Sequence, residues 1–267
     1  MLDPVLIDIK NEIAFVTLNR PNKHNALNMA MFTAIDNATK RLRKDKSIRA
    51  VIVNGEGVDF CTGLDVKSVM SSGANAAKLL FKWLPGQSNL AQRVSSAWRK
   101  VPVPVIMVLH GRVWGGGLQI ALGGDFRIAS PNTSFSIMEA KWGLIPDMGG
   151  TLAFKEQMPV DQAKLFAMTG QEISSDLALS YQLITETSED PMSRALELAN
   201  NFKRQSPDAL AGVKRLYNNA WSKSQRFALA KESWYQIKVM FSKNQRIKSY
   251  NQINPDNTKP FNKRGSW

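Results

Sequence analysis

Val103-Pro-Val-Ile-Met-Val-Leu-His-Gly-Arg-Val-Trp-Gly-Gly-Gly-Leu-Gln-Ile-Ala-Leu122 is the stretch on which the fold class turns. Its first seven residues carry no polar side chain, so they read as a strand covered on both faces, the kind found in parallel sheets flanked by helices. Trp114-Gly-Gly-Gly117 then leads into a helix whose first backbone N–H groups are bare, a natural place to stabilise an anion. No Gly-Lys-Ser/Thr follows and the spacing is not G-x-G-x-x-G, which excludes a phosphate loop and a dinucleotide fingerprint. Tight helix packing accounts for such a triplet equally well.

Outward from this stretch the pattern repeats. Ala50-Val-Ile-Val53 is a second short apolar strand, and Ile13-Ala-Phe-Val-Thr-Leu18 is a β-rich run followed by Met31, Phe32, Ile35 and Leu42 at helical spacing. Strands alternating with helices predict an α/β architecture with a buried sheet. Val69 to Lys100 reads either as a partly helical flap, with Phe81, Trp83 and Leu84 shaping the end of a pocket, or as a helical hairpin. After Glu186 the chain turns helical. Ala195 to Phe202 comes first, and Ser206-Pro207 then supplies an N-cap and a first-turn proline for the next helix. The expectation is an α/β core over 1–195 and a C-terminal helical subdomain over 196–267, with aromatics suited to self-association.

Composition narrows the chemistry. A single cysteine, Cys61, rules out an internal disulfide framework, and two distant histidines, His24 and His110, leave no local zinc cluster, so no metal site is expected. The start lacks the basic and apolar stretches of a secretory signal, and the longest apolar run, Val101 to Leu109, is about half of what a bilayer requires. A soluble, cytoplasmic protein with no membrane partner is expected. Thirty-five basic against 22 acidic residues give a net charge of +13, which favours anionic ligands. The basic residues are scattered without base-stacking motifs, so nucleic acid is not the expected partner.

Two further segments carry candidate chemistry. Asp59-Phe-Cys-Thr-Gly-Leu-Asp-Val-Lys67 follows a strand, and its Gly63 permits a tight turn that exposes backbone N–H groups. Ser134 to Thr151 places Glu139 and Asp147 eight residues apart across a Gly/Pro-containing loop, where two carboxyls sharing an apolar cavity would divide acid and base roles. Asp147 reads equally as the cap of a helix near Gly149, and Glu139 as the ion-pair partner of Lys141. Lys23 and His24, in the Arg20–Leu27 loop, suit a phosphate, although a solvated loop lysine is the usual explanation of such a residue. No G-x-S-x-G stretch supports a serine nucleophile.

Asn19 to Leu27, Phe60 to Lys67, His110 to Gly117, Asp125 to Ala129 and Gly143 to Thr151, in that order and spacing, resemble the successive signatures of the crotonase superfamily, also called the enoyl-CoA hydratase/isomerase family. The ending Lys259-Pro-Phe261 is similar too. The resemblance implies a ClpP/crotonase-like fold of repeated β-β-α turns, with C-terminal helices building a homotrimer or homohexamer. It implies an acyl-CoA thioester substrate and no cofactor beyond the coenzyme A that the substrate carries. Matched motif to motif, the amides of Leu64 and Gly116 become the oxyanion hole. Lys23, His24, Thr62 and Val66 fall where the family contacts CoA, and Lys259 and Phe261 where a neighbouring subunit's CoA is reached.

The catalytic positions depart from the hydratase pattern. Glu139 matches the second of the two glutamates, but Gln119 stands where the first belongs, and an amide takes up no proton near neutral pH. Asp147 stands where hydratases have glycine, and its pairing with Glu139 resembles the dienoyl-CoA isomerase branch. The expected activity is double-bond isomerisation of an enoyl- or dienoyl-CoA with Glu139 and Asp147 passing protons. The alternatives are hydration by Glu139 with a Gln119-held water, and a non-catalytic acyl-CoA-binding protein.

Overall fold

A computed structural model describes residues 3–267. Among the described residues nine strands form in chain order: β1 (Val5–Lys10), β2 (Ile13–Leu18), β3 (Ala50–Gly55), β4 (Val105–Leu109), β5 (Arg112–Trp114), β6 (Phe126–Ala129), β7 (Ser134–Ser136), β8 (Glu172–Ile173) and β9 (Glu186–Thr187). Six of them make one sheet in the order β1-β2-β3-β4-β6-β9, and β5-β7-β8 make a second. β1 and β2 form an antiparallel hairpin, and from β2 onward the large sheet is parallel.

The continuous apolar strands are explained by what covers them. Val51, Val53, Val105, Met107 and Leu109 point into the main core. Their alternates Ala50, Ile52, Ile106 and Val108 point to the opposite face, where Ala195 and Ala199 seal them. β4 starts later than the apolar run because Pro104 has no N–H for the ladder, although its carbonyl accepts from Val51 N at 2.9 Å.

The main core is closed by α1 (Met29–Lys44), capped by the Asn28 side chain, and by a helical series α2 (Val66–Val69), α3 (Gly73–Leu80) and α4 (Leu90–Ser96). Val69 to Lys100 is thus a helical hairpin. Leu79, Leu90, Ala91 and Val94 enter the core, whereas Phe81, Trp83 and Leu84 stand exposed at its tip. After β5 the chain enters α5 (Gly116–Ala121). Close packing does explain one glycine of the triplet: a Cβ on Gly117 would lie 2.2 Å from Cys61 O.

α6 (Gly150–Gln157) and α7 (Val160–Thr169) link β7 to β8 within the second sheet, and α8 (Ser175–Ser180) leads from β8 to β9. α9 (Pro191–Lys203) is the helix that covers the outer face of the large sheet, with Phe202 stacked on Phe126. It runs unbroken through the expected 195/196 boundary. α10 (Pro207–Ala220) begins on the Ser206 cap and Pro207 as the sequence indicated, and α11 (Gln225–Met240) and α12 (Lys243–Ile253) follow. A buried ion pair docks α10 on the core: Lys214 Nζ lies 2.6 Å from Asp125 and donates to the carbonyls of Trp98 and Val103. Trp221, Trp234 and Phe241 face solvent.

Candidate active site

A cavity of about 510 Å3 opens where the two glycine-bearing turns meet, lined by Thr62, Leu64, Gly116, Glu139 and Asp147, with apolar side chains such as Leu79 around them. Gly63 adopts φ +91°, a left-handed conformation that a side chain would strain. A Cβ there would sit 2.9 Å from Trp114 O and 3.2 Å from Gly116 N, which measures how closely the turns abut.

The hydrogen bonds around these turns leave two N–H groups free. Leu27 N donates to Gly63 O at 2.8 Å and Asp65 N to Leu27 O at 3.1 Å, pinning residues 63–65, while the Leu64 N–H between them has no acceptor among the described residues. Gly116 is the first residue of α5, so its N–H has no carbonyl one turn earlier. Both residues border the cavity. An oxygen developing negative charge there would meet donors that need not reorganise.

Glu139 sits in a short 3-10 turn, Met138–Trp142, just after β7. Its Oε1 accepts from Gln119 Nε2 at 2.6 Å, and its Oε2 is buried with no hydrogen-bond partner. Burial pushes its carboxyl above the ordinary glutamate range, and the charge of Asp147 adds to the push against the opposing bonds from its own backbone N–H and from Gln119. Burial by the cavity walls raises the Asp147 carboxyl as well. This residue keeps an open solvent face, so its desolvation is only partial. The helix-cap reading of Asp147 fails, because the N-cap position of α6 is Gly149 and has no side-chain bond. The Glu139–Lys141 ion pair is absent among the described residues as well.

Gln119 is fully buried. Its Oε1 accepts from Met148 N at 2.9 Å and Gly150 N at 3.0 Å, so both lone pairs are taken and none is left to orient a water.

The residues matched to CoA contacts divide. Thr62 and Val66 line the cavity. Lys23 and His24 do not, although Thr62 N donates to His24 O at 3.1 Å and so fixes that loop at the rim. Lys259 and Phe261 are apart from the cavity too: Lys259 Nζ lies 3.8 Å from the Tyr250 ring centroid, and Phe261 lies under Arg49. The expectation that Phe81, Trp83 and Leu84 shape the pocket is corrected. Ala76, Leu79 and Leu80 on α3 line it instead, a face that helical spacing offered as readily.

Sequence reasoning missed a rim cluster. Asp59 is buried and takes both Arg112 Nε and Nη2, at 2.9 and 2.7 Å, while His24 Nδ1 lies 2.8 Å from its Oδ2. Burial alone would raise Asp59, but the Arg112 guanidinium, with help from His24, holds it well below the usual carboxylate range. The signal was available, since Asp59 and Arg112 each stand beside a glycine-bearing motif. Cys61 is fully buried, and burial pushes its thiol up to about 12, which leaves it no nucleophilic role near neutral pH. Among the described residues no group of three or more His, Cys, Asp or Glu is placed to hold a metal, and no helix is long and apolar enough to cross a membrane.

A family model described as enoyl-CoA hydratase/isomerase matches residues 13–264. The chain is 33% identical to (E)-benzylidenesuccinyl-CoA hydratase of Thauera aromatica over 77% of each chain. It is 30% identical to carnitinyl-CoA dehydratase of Salmonella enteritidis over 76% of this chain and 75% of that one. The solved enoyl-CoA hydratase of Bacillus anthracis superposes with a TM-score of 0.86, covering 97% of this chain and 99% of that one; at 23% identity it shows the shared fold.

Proposed function

The chain belongs to the enoyl-CoA hydratase/isomerase family of acyl-CoA-processing enzymes, and within it we propose that this protein shifts a double bond along an enoyl- or dienoyl-CoA thioester. The observation that carries the reading is two carboxyls, both raised above their ordinary range, facing one cavity with the unpaired amides of Leu64 and Gly116.

In this reading the thioester oxygen accepts from those two amides. One carboxylate removes the proton on carbon 2 of a 3-enoyl chain, and the C–H electron pair enters the conjugated enolate. The other carboxyl delivers a proton to carbon 4, giving the 2-enoyl isomer, and proton exchange with solvent restores both groups. The amides act only as charge appears on oxygen, so they lower the barrier rather than merely tightening binding. Losing one such donor costs about 3 kcal/mol of transition-state stabilisation. Side-chain carboxyls and backbone dipoles supply this chemistry, with CoA entering as part of the substrate. Lys23, His24, Thr62 and Val66 are proposed to meet the CoA, and Lys259 and Phe261 that of a neighbouring copy. Exposed Trp221, Trp234 and Phe241 are proposed to bury themselves between copies in a trimer or hexamer.

The names of the relatives, a hydratase and a dehydratase, favour a second reading in which Glu139 activates water. One substitution separates the two. Under isomerisation, Asp147→Asn lowers turnover of 3-enoyl and 3,5-dienoyl thioesters by at least about a hundredfold, the size of a general acid–base contribution. Under hydration by Glu139 alone, the same variant keeps nearly all its activity on a 2-enoyl thioester. Thioester binding with no turnover of any of these substrates would leave only a binding protein.

A further inference from the structure

We propose that Gln119 is a positioning residue: its amide locks Glu139 and the turn that bears Asp147 into one frame, and leaves Oε2 of Glu139 as the atom that carries the proton. This role rests on the proton-transfer reading above and extends it to a residue that touches no substrate.

The partners of the amide fix its orientation. Met148 N and Gly150 N are donors only, and both point at one end of the buried Gln119 side chain, at 2.9 and 3.0 Å. That end must be the oxygen, so the NH2 end faces Glu139, where it meets Oε1 at 2.6 Å. With Oε1 committed, Oε2 is the oxygen that stays buried without a partner. A proton placed on Oε1 would oppose the Gln119 donor, whereas Oε2 is free to gain or lose one. The oxygen end does a second job. Met148 immediately follows Asp147, so the same side chain sets the backbone from which Asp147 enters the cavity. One buried amide thereby ties two acids that lie 20 and 28 positions further along the chain to a helix that starts in the oxyanion turn.

Two substitutions separate this role from simple core filling. Gln119→Glu keeps volume and an oxygen for Met148 N and Gly150 N, so the turn stays folded, but it replaces the donor with a second carboxyl 2.6 Å from Glu139. Gln119→Met keeps approximate volume and removes all three bonds. The readout is the titration of the Glu139 carboxyl by carbon-13 NMR of glutamate-labelled protein, assigned with Glu139→Gln. Alongside it, kcat and KM are measured on crotonyl-CoA and on 3-enoyl and 3,5-dienoyl thioesters. In Gln119→Glu the pair is expected to titrate in two separate steps, the upper one above the wild-type position, because two carboxyls at that distance share one proton. In Gln119→Met the Glu139 titration moves up, and kcat falls by about a hundredfold with KM little changed, as for a displaced catalytic group. A Glu139 titration identical to wild type in Gln119→Glu would overturn the proposal. Wild-type protein that turns over none of the thioesters would remove the catalytic reading, while the titration still decides the positioning.

Discussion

Asp59 and Glu139 are two carboxylates of one chain that the fold treats in opposite ways. Asp59 is buried, yet the guanidinium and the backbone N–H of Arg112, together with His24, surround both oxygens, and its acidity is strengthened. Glu139 meets only neutral donors, the Gln119 amide and its own backbone N–H, and no cation, and its acidity is weakened. Burial does not by itself make a reactive acid. Withholding the cation does, and the chain spends its excess positive charge at the rim and elsewhere rather than beside Glu139.

The comparison breaks first at Glu139. Glu139→Gln is expected to lower kcat on the preferred enoyl thioester by about a thousandfold, within the range of general acid–base catalysis, with thermal stability retained. Steady-state kinetics beside a melting curve would check both halves. Asp59→Ala is expected to do the reverse, losing about 2 kcal/mol of stability as charge-assisted bonds disappear, with kcat nearly unchanged. Denaturant titration of the purified variant measures that loss.

The smallest effects are in the pH dependence of stability, and the two acids should differ in sign. Asp59 binds its proton less tightly in the folded state, so its contribution is present above the ordinary aspartate value of 3.8 and is lost as pH falls through the lowered folded value. Glu139 binds its proton more tightly when folded, so its ionisation weakens the fold as pH rises from the ordinary value of 4.5 toward the raised one. Subtracting the stability curves of Asp59→Asn and Glu139→Gln from wild type should therefore give slopes of opposite sign in acid.

What the sequence disclosed was local. The Ile13–Leu18 strand and the Ser206–Pro207 helix start coincide with the structure because a compact β-rich run and cap chemistry are written in neighbouring residues. β8 and β9, two residues each, escaped because only pairing with β7 and β6 makes them strands. The ordered motifs pointed to the two abutting turns, and the carboxyl pair was visible as Glu139 and Asp147. The Gln119 clamp was not, because its partners at 139, 148 and 150 meet it only through the fold. The exposure of Phe81, Trp83 and Leu84 was hidden for a similar reason. Large apolar side chains announce burial against something without saying whether this chain supplies it.

The most direct measurement is solvent labelling. Wild-type protein is incubated with a 3-enoyl thioester in deuterated water and the products are resolved carbon by carbon. A double-bond shift run by two carboxyls predicts deuterium at carbon 4 of the 2-enoyl product, with carbon 2 labelled only through return of the enolate to the 3-enoyl thioester. Deuterium absent from carbon 4, with a hydroxyl appearing on carbon 3 when a 2-enoyl thioester is supplied, would contradict it.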